Sequence, residues 1–468
     1  MLPSLSAPLI KLRLDSLPRY RLTIIYAVIL SAFVACFIGA FFSPEMLNEE
    51  VGFLDSCYQE DTELMKNCQL NDRMVKHPAW FTVLPNLNKY KQFFMLEVEA
   101  LQGSQDKRET SASLTLNFLV SVRAREDGSD EYDYLTENKE RSVEVECTGE
   151  RSCGSELLFY EPYLTYENYE LKVAILNWGD VDSWLANIKF TVKFVNPAFT
   201  RYVLACKYLF FLLSLLSNII YLLQLRSTPI SLWGFETRFL CLLGLSCTLM
   251  NDPTYAGGIL SPSEGWSVYS VLCVTQFIGL ILSFWMLTVQ RMKSSVFSLG
   301  YYIGIITTLI VLVGLLSALY IYLNIRMKYD PSFSWKSDLP QTLVGVVGTV
   351  IALVILVVCW MIGLTLRAMP TVARLSKRQV FLLAVNTGML VITILGIAAG
   401  FFQPLPRLGA MLLITVAIYN LYIYLLQVLF VPTKEAVEAQ FRSVELEGQI
   451  AQLRFEEEEN FSKPENRI

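Results

Sequence analysis

One histidine, His77, occurs in 468 residues. That scarcity excludes most zinc chemistry and most imidazole acid–base catalysis. Charge is also scarce, at 17% of residues against 53% hydrophobic. Ordinary soluble domains carry about 25% charge, so a cytosolic enzyme is excluded. A net charge of −5 gives nucleic acid little to bind. The chain has no GxSxG, no HExxH and no Gly-rich phosphate loop, and no hydrophobic span holds a pair of Asp residues. Catalysis needs a constellation, and none is legible, so the chain reads as a non-enzyme without cofactor. A bound lipid is the one small-molecule component expected. Residues 43–200 also lack an Asn-X-Ser/Thr acceptor; Asn460-Phe461-Ser462 lies near the C-terminus.

Long apolar runs are what the chain does have. A bilayer core needs about 20 apolar residues per helix. Eight stretches qualify: 22–42, 202–225, 233–250, 266–289, 299–323, 342–366, 380–402 and 408–431. The first is too long for the roughly 7–15-residue core of a secretory signal, so it reads as an uncleaved anchor. Lys11, Arg13, Arg19 and Arg21 precede it, and Arg226, Arg291, Lys293, Arg367, Arg374, Lys377 and Arg378 fall on the same side. By the positive-inside rule both termini are cytoplasmic and residues 43–200 lie in the lumen or outside the cell. The expected organisation is a cytoplasmic N-terminus (1–21), an anchor (22–42), an outer domain (43–200), a seven-helix bundle (201–431) and a cytoplasmic tail (432–468). The protein is expected to be multi-pass, in the Golgi and endomembrane system or at the plasma membrane.

The outer domain reads as strands. Residues 93–101 and 114–122 alternate strictly, and 143–147, 156–160, 169–178 and 188–195 show the same period of two. Such alternation puts one face on a core, and several short strands with turns indicate a β-sandwich. One helix is suggested at 61–75. Trp178 and Trp184, flanking Gly179-Asp180, read either as a hairpin packing pair or as exposed aromatic cargo contacts. Cys57, Cys68, Cys147 and Cys153 are the only cysteines outside the spans. An even set in an oxidising compartment suggests two disulfides. Three pairings are open, and short spacing favours Cys57–Cys68 with Cys147–Cys153. The run IKFTVKFV passes straight through Asn196-Pro197 into the second span, so the domain should sit rigidly on the bundle.

Ionisable residues within spans mark ion and substrate pathways. Here they are Lys207, Glu236 and Arg238, all near interfaces, where snorkelling accounts for them. Asp252 stands alone at a helix end. Uncharged polar residues remain: Asn218, Gln276, Asn386 and Asn420. They bond between helices, or, in the functional reading, Gln276, Asn386 and Asn420 line a cavity. Gly345, Gly348, Gly363, Gly388, Gly396 and Gly400 allow close helix approach or leave space. The tail, residues 434–455, can form an amphipathic helix with Val437, Phe441, Val444, Ala451 and Phe455 near one face, followed by Glu456–Glu459. A dock for coat or sorting adaptors is its functional reading.

Several motifs occur in a set order. Asn196-Pro197-Ala198-Phe199-Thr200 leads into the second span, and Met250-Asn251-Asp252-Pro253 closes the third. Tyr329-Asp330-Pro331, Met369-Pro370, Asn420-Leu421-Tyr422-Ile423-Tyr424 and Val431-Pro432-Thr433-Lys434 follow. Together they resemble the Wntless-like seven-transmembrane family, in a branch apart from Wntless proper. The resemblance implies a Golgi-dynamics (GOLD) type sandwich over a GPCR-like bundle. It also implies a trafficking chaperone that escorts lipidated or membrane-associated protein cargo through the secretory pathway. Asn251, Asp252 and Pro253 carry over as a family-motif turn. The alternative is a cell-surface receptor for an external ligand or toxin, without G-protein coupling, since no Asp-Arg-Tyr ending and no Pro after Asn420 is present.

Overall fold

The computed structural model describes residues 13–54, 78–102, 112–126, 131–147, 152–181, 185–226, 228–230, 233–261, 263–293, 299–329, 341–370, 377–402, 405–433 and 438. Among these residues a helix, α1 (Arg19–Phe41), leads into eight strands. These are β1 (Leu47–Phe53), β2 (Ala79–Leu84), β3 (Phe94–Gln102), β4 (Ala112–Arg125), β5 (Asp133–Cys147), β6 (Ser152–Glu161), β7 (Asn168–Ile175) and β8 (Leu185–Val195). Seven long helices follow: α2 (Pro197–Leu225), α3 (Phe235–Met250), α4 (Glu264–Lys293), α5 (Leu299–Tyr329), α6 (Gln341–Ala368), α7 (Lys377–Phe402) and α8 (Leu405–Leu429).

The strands form two antiparallel four-stranded sheets, ordered β1-β8-β3-β6 and β2-β7-β4-β5. Their inner faces are the alternating positions. Phe94, Leu96, Val98 and Ala100 of β3 share one core with Leu116, Phe118, Val120 and Val122 of β4. Each large side chain withdrawn from water there contributes about 1.5–3 kcal/mol. Trp80 stacks on Phe190, ring centroids 4.6 Å apart, which ties β2 to the opposite sheet. Cys147 and Cys153 form a disulfide joining β5 to β6. Cys57 and Cys68, the suggested helix at 61–75 and His77 lie outside the described residues.

The domain has two strands that alternation did not indicate. β1 reads LNEEVGF and is mostly exposed, and β2 is short; both are sheet edges, where one-sided burial blurs the period. β5 is also longer than its apolar end at 143–147, because its first half is a charged, exposed edge. The strand expected at 169–178 ends at Ile175 instead. A helical turn, Trp178–Val181, follows, and Trp178 is half-buried against the sandwich core. It packs rather than standing out as a cargo contact; Trp184 lies outside the described residues.

Helices occupy all eight positions expected from hydropathy. Among the described residues five are long and apolar enough to cross a bilayer, within α1, α2, α4, α5 and α6. α3 has 16 residues, about 24 Å, shorter than a roughly 30 Å hydrocarbon core. In α7 and α8 the apolar stretches described are Val380–Ile392 and Leu413–Leu429. α4 is central, packing on α3, α5, α6 and α7, while α8 packs on α1, α2, α3 and α7. Among the described residues α6 and α7 barely touch each other.

Candidate functional site

The junction between sandwich and bundle has no linker. β8 ends at Val195 and α2 starts at Pro197. Pro fits the first helical turn because it has no N–H to leave unpaired. Asn196 caps the helix by accepting from Ala198 N at 3.0 Å, and its own N–H donates to Met46 O at 2.9 Å. A 3-10 turn, Lys89–Lys91, sits on the same helix end. Gln92 follows it with φ 58°, and its Nε2 donates to Thr200 Oγ1 at 3.0 Å and Tyr255 Oη at 2.9 Å. Thr200, fully buried, donates to Tyr90 O at 2.7 Å. Lys91 lies 4.4 Å from the Phe194 ring centroid; burial draws its ammonium pKa down against the opposing pull of Glu50. Apolar contacts of Ala40, Leu47, Val195, Phe199, Val203, Leu413 and Ile414 complete the joint.

Below that joint the polar chain continues into the bundle. Lys207 of α2 lies 3.7 Å from the Tyr255 ring centroid and 3.1 Å from Asp252 Oδ2. Asp252 also accepts from Ser270 Oγ at 3.1 Å and Thr254 Oγ1 at 3.0 Å. It therefore does not stand alone, and Lys207 does not snorkel. Together they are a largely buried ion pair 45 residues apart in sequence, with 5% of the Asp252 side chain and 20% of the Lys207 side chain exposed. Asp252 has φ 54°, a left-handed backbone that Asp and Asn tolerate. Pro253 O accepts from Tyr208 Oη at 3.2 Å. The Asn251-Asp252-Pro253 turn is thus the place where α2, α3 and α4 are pinned together.

Asn251 and Asn420 exchange two hydrogen bonds, at 2.9 and 2.8 Å, joining α3 to α8. Asn420 Oδ1 also accepts from Tyr424 Oη at 3.0 Å and Cys247 Sγ at 3.3 Å. Further along, Asn218 Nδ2 donates to Thr248 Oγ1 at 2.7 Å and Gly244 O at 2.8 Å, while its Oδ1 accepts from Gln427 Nε2 at 2.6 Å. Gly244 is small for a steric reason: a Cβ there would collide with the Asn218 and Gln427 amides. A polar spine therefore runs from Gln92 in the sandwich to Gln427 in α8.

The three residues expected to line a cavity part company. Asn420 is fully buried and its amide is engaged on both sides, so it bonds between helices instead. Gln276 is exposed on the outside of α4 and does not point inward. Periodicity places it at mid-span but cannot choose its face. Asn386 of α7 is buried; its Oδ1 accepts from Tyr422 Oη at 2.8 Å, and Tyr422 Oη accepts from Trp285 Nε1 at 2.9 Å. The Nδ2 of Asn386 has no hydrogen-bond partner among the described residues. Of the two that are buried, Asn386 alone keeps spare donor capacity among the described residues. The spine's ion pair and Gln427 had no short-range signal in sequence, since each partner comes from a distant helix. Among the described residues no three His, Cys, Asp or Glu side chains gather as metal ligands would.

These features define a multi-pass integral membrane protein with an antiparallel β domain fixed to one end of a helical bundle. The transmembrane-domain model of the Wntless-like family matches residues 196–434, and the chain belongs to that family. The chain is also 24% identical over 280 residues to human transmembrane protein 181, covering 58% of this chain and 56% of that relative. The match spans little more than half of the relative's length.

Proposed function

We propose that the protein is a membrane escort that carries lipidated or membrane-associated protein cargo through the secretory pathway, making and breaking no covalent bond. The sandwich, read as GOLD-type, holds the protein part of the cargo, and the receptor-like seven-helix bundle shelters its acyl chain. The coat or sorting adaptors that move such a carrier would bind the tail. The observation that carries this reading is the seam between α6 and α7. Among the described residues the two helices barely meet, and Asn386 of α7, which bonds Tyr422 of α8, has a buried donor with no partner. A Cβ added at Gly345, Gly348 or Gly363 of α6, or at Gly388 of α7, would meet nothing within 4 Å. Gly345, Gly348 and Gly388 are exposed, so these helix faces leave open space along which an apolar tail can lie, and an acyl carbonyl would satisfy the Asn386 amide.

The test is a fatty-acylated peptide bearing a photoreactive group at the chain's end, cross-linked to the full-length protein in nanodiscs. The expected label maps to peptides of α6 and α7 and is displaced by excess acylated peptide, not by its unacylated form. Labelling spread evenly over all helices, or equal competition by the unacylated peptide, would defeat the reading.

A further inference from the structure

At the end of the bundle away from the sandwich lies a second feature that the escort reading does not use. The chain leaving α2 folds back on it, pinned by Trp233 Nε1 donating to Thr228 O at 2.8 Å and Arg238 Nη2 to Ile230 O at 3.1 Å. Between helix and return segment is a groove of about 670 Å³. Its walls are apolar: Leu222, Leu223 and Ile230 are all at least half exposed, and Trp233 closes one side. Two groups break that pattern. The Arg226 guanidinium stands exposed at the groove and takes part in no ion pair or side-chain hydrogen bond shown among the described residues. Thr228 lines the groove yet is only 3% exposed, and its Oγ1 has no hydrogen-bond partner among the described residues.

A buried hydroxyl left without a partner loses its hydration with nothing in return, so an orphan in a groove wall marks a missing acceptor. An arginine fork beside it matches a phosphate. The apolar walls match hydrocarbon, and the groove lies at the end of a helix long enough to cross the bilayer. We propose that this groove is a binding site for one anionic glycerophospholipid from the leaflet away from the sandwich. Arg226 and Thr228 hold the phosphate, while Leu222, Leu223 and Ile230 lie along an acyl chain. Neither cargo nor the α6–α7 seam takes part.

Native mass spectrometry of the delipidated full-length protein, titrated with dioleoyl phosphatidylserine, tests this. One saturable adduct is expected. Arg226→Gln and Thr228→Val should each weaken it about tenfold or more, the scale of a lost charge-assisted hydrogen bond. Dioleoyl phosphatidylcholine should bind more weakly, and inorganic phosphate alone should give no adduct. Thermal unfolding of both variants checks the fold. If the adduct persists at full strength in a folded Thr228→Val variant, the hydroxyl does not hold the phosphate and the proposal fails. It fails equally if phosphate alone binds as well as the lipid, or if Arg226→Gln leaves the lipid's affinity unchanged.

Discussion

Gly244 and Gly348 both lie in membrane helices, in opposite surroundings. A Cβ on Gly244 would run into the amides of Asn218 and Gln427. A Cβ on Gly348 would meet no atom within 4 Å. The first sits where α2, α3 and α8 are joined by side-chain hydrogen bonds, the second on α6, which among the described residues packs mainly on α4 and α5. One part of the bundle is therefore locked to the sandwich through the spine, and the other is only packed. The escort role proposed above needs both: a fixed frame for a cargo's protein part and helices that yield to its chain.

If the frame is locked by the ion pair, removing one charge should give the largest effect. Asp252→Asn keeps the left-handed backbone and the size, yet leaves Lys207 buried and uncompensated. A loss of about 3–5 kcal/mol is expected, read as a lower unfolding midpoint of the detergent-purified protein by tryptophan fluorescence. Adding Lys207→Met to that variant should recover most of it. A double variant as unstable as the single one would mean that the pair is not the lock.

Gly244→Val comes next. Overpacking a joined core costs about 1–3 kcal/mol, and here it also breaks the Asn218–Gln427 bond. Unfolding should shift by that amount, and a neutral result would show that α2 and α8 can separate freely. Asn420→Leu should cost less, about 1–2 kcal/mol, because hydrogen bonds between membrane helices are individually modest. Its effect should shrink in an Asn251→Leu background, since the two amides bond each other, and what is left reports the bonds from Tyr424 and Cys247.

Much of this division was hidden in the sequence for physical reasons. The strict period of two marked β3 and β4, whose inner residues are wholly buried. It could not mark β1, β2 or the first half of β5, because edge strands bury too little. Hydropathy marked the helices by bulk, without saying which way each faces, so Gln276 was assigned to an interior it does not enter. Of three open pairings, short spacing favoured the one that joins Cys147 to Cys153, and the fold contains that disulfide. Asn251-Asp252-Pro253 was legible as a turn, since Pro cannot continue a helix. Its charge partner was not: Lys207 belongs to another helix, and only folding brings the two together.

The smallest effect, and the sharpest contrast with Gly244, belongs to Gly348→Ala. The new methyl group enters space that no protein atom fills, so no overpacking opposes it. Ala also has the better helix propensity and loses less backbone freedom on folding, a gain of about 0.4–1 kcal/mol. The unfolding midpoint should therefore stay level or rise slightly, opposite in sign to the Gly244 variant. Bulk tells more than sign: Gly348→Leu should also fold, yet reduce photolabelling by the acylated peptide if the chain lies against α6. Full labelling of Gly348→Leu would place the acyl chain elsewhere, while leaving the locked frame, which rests on the ion pair and Gly244, untouched.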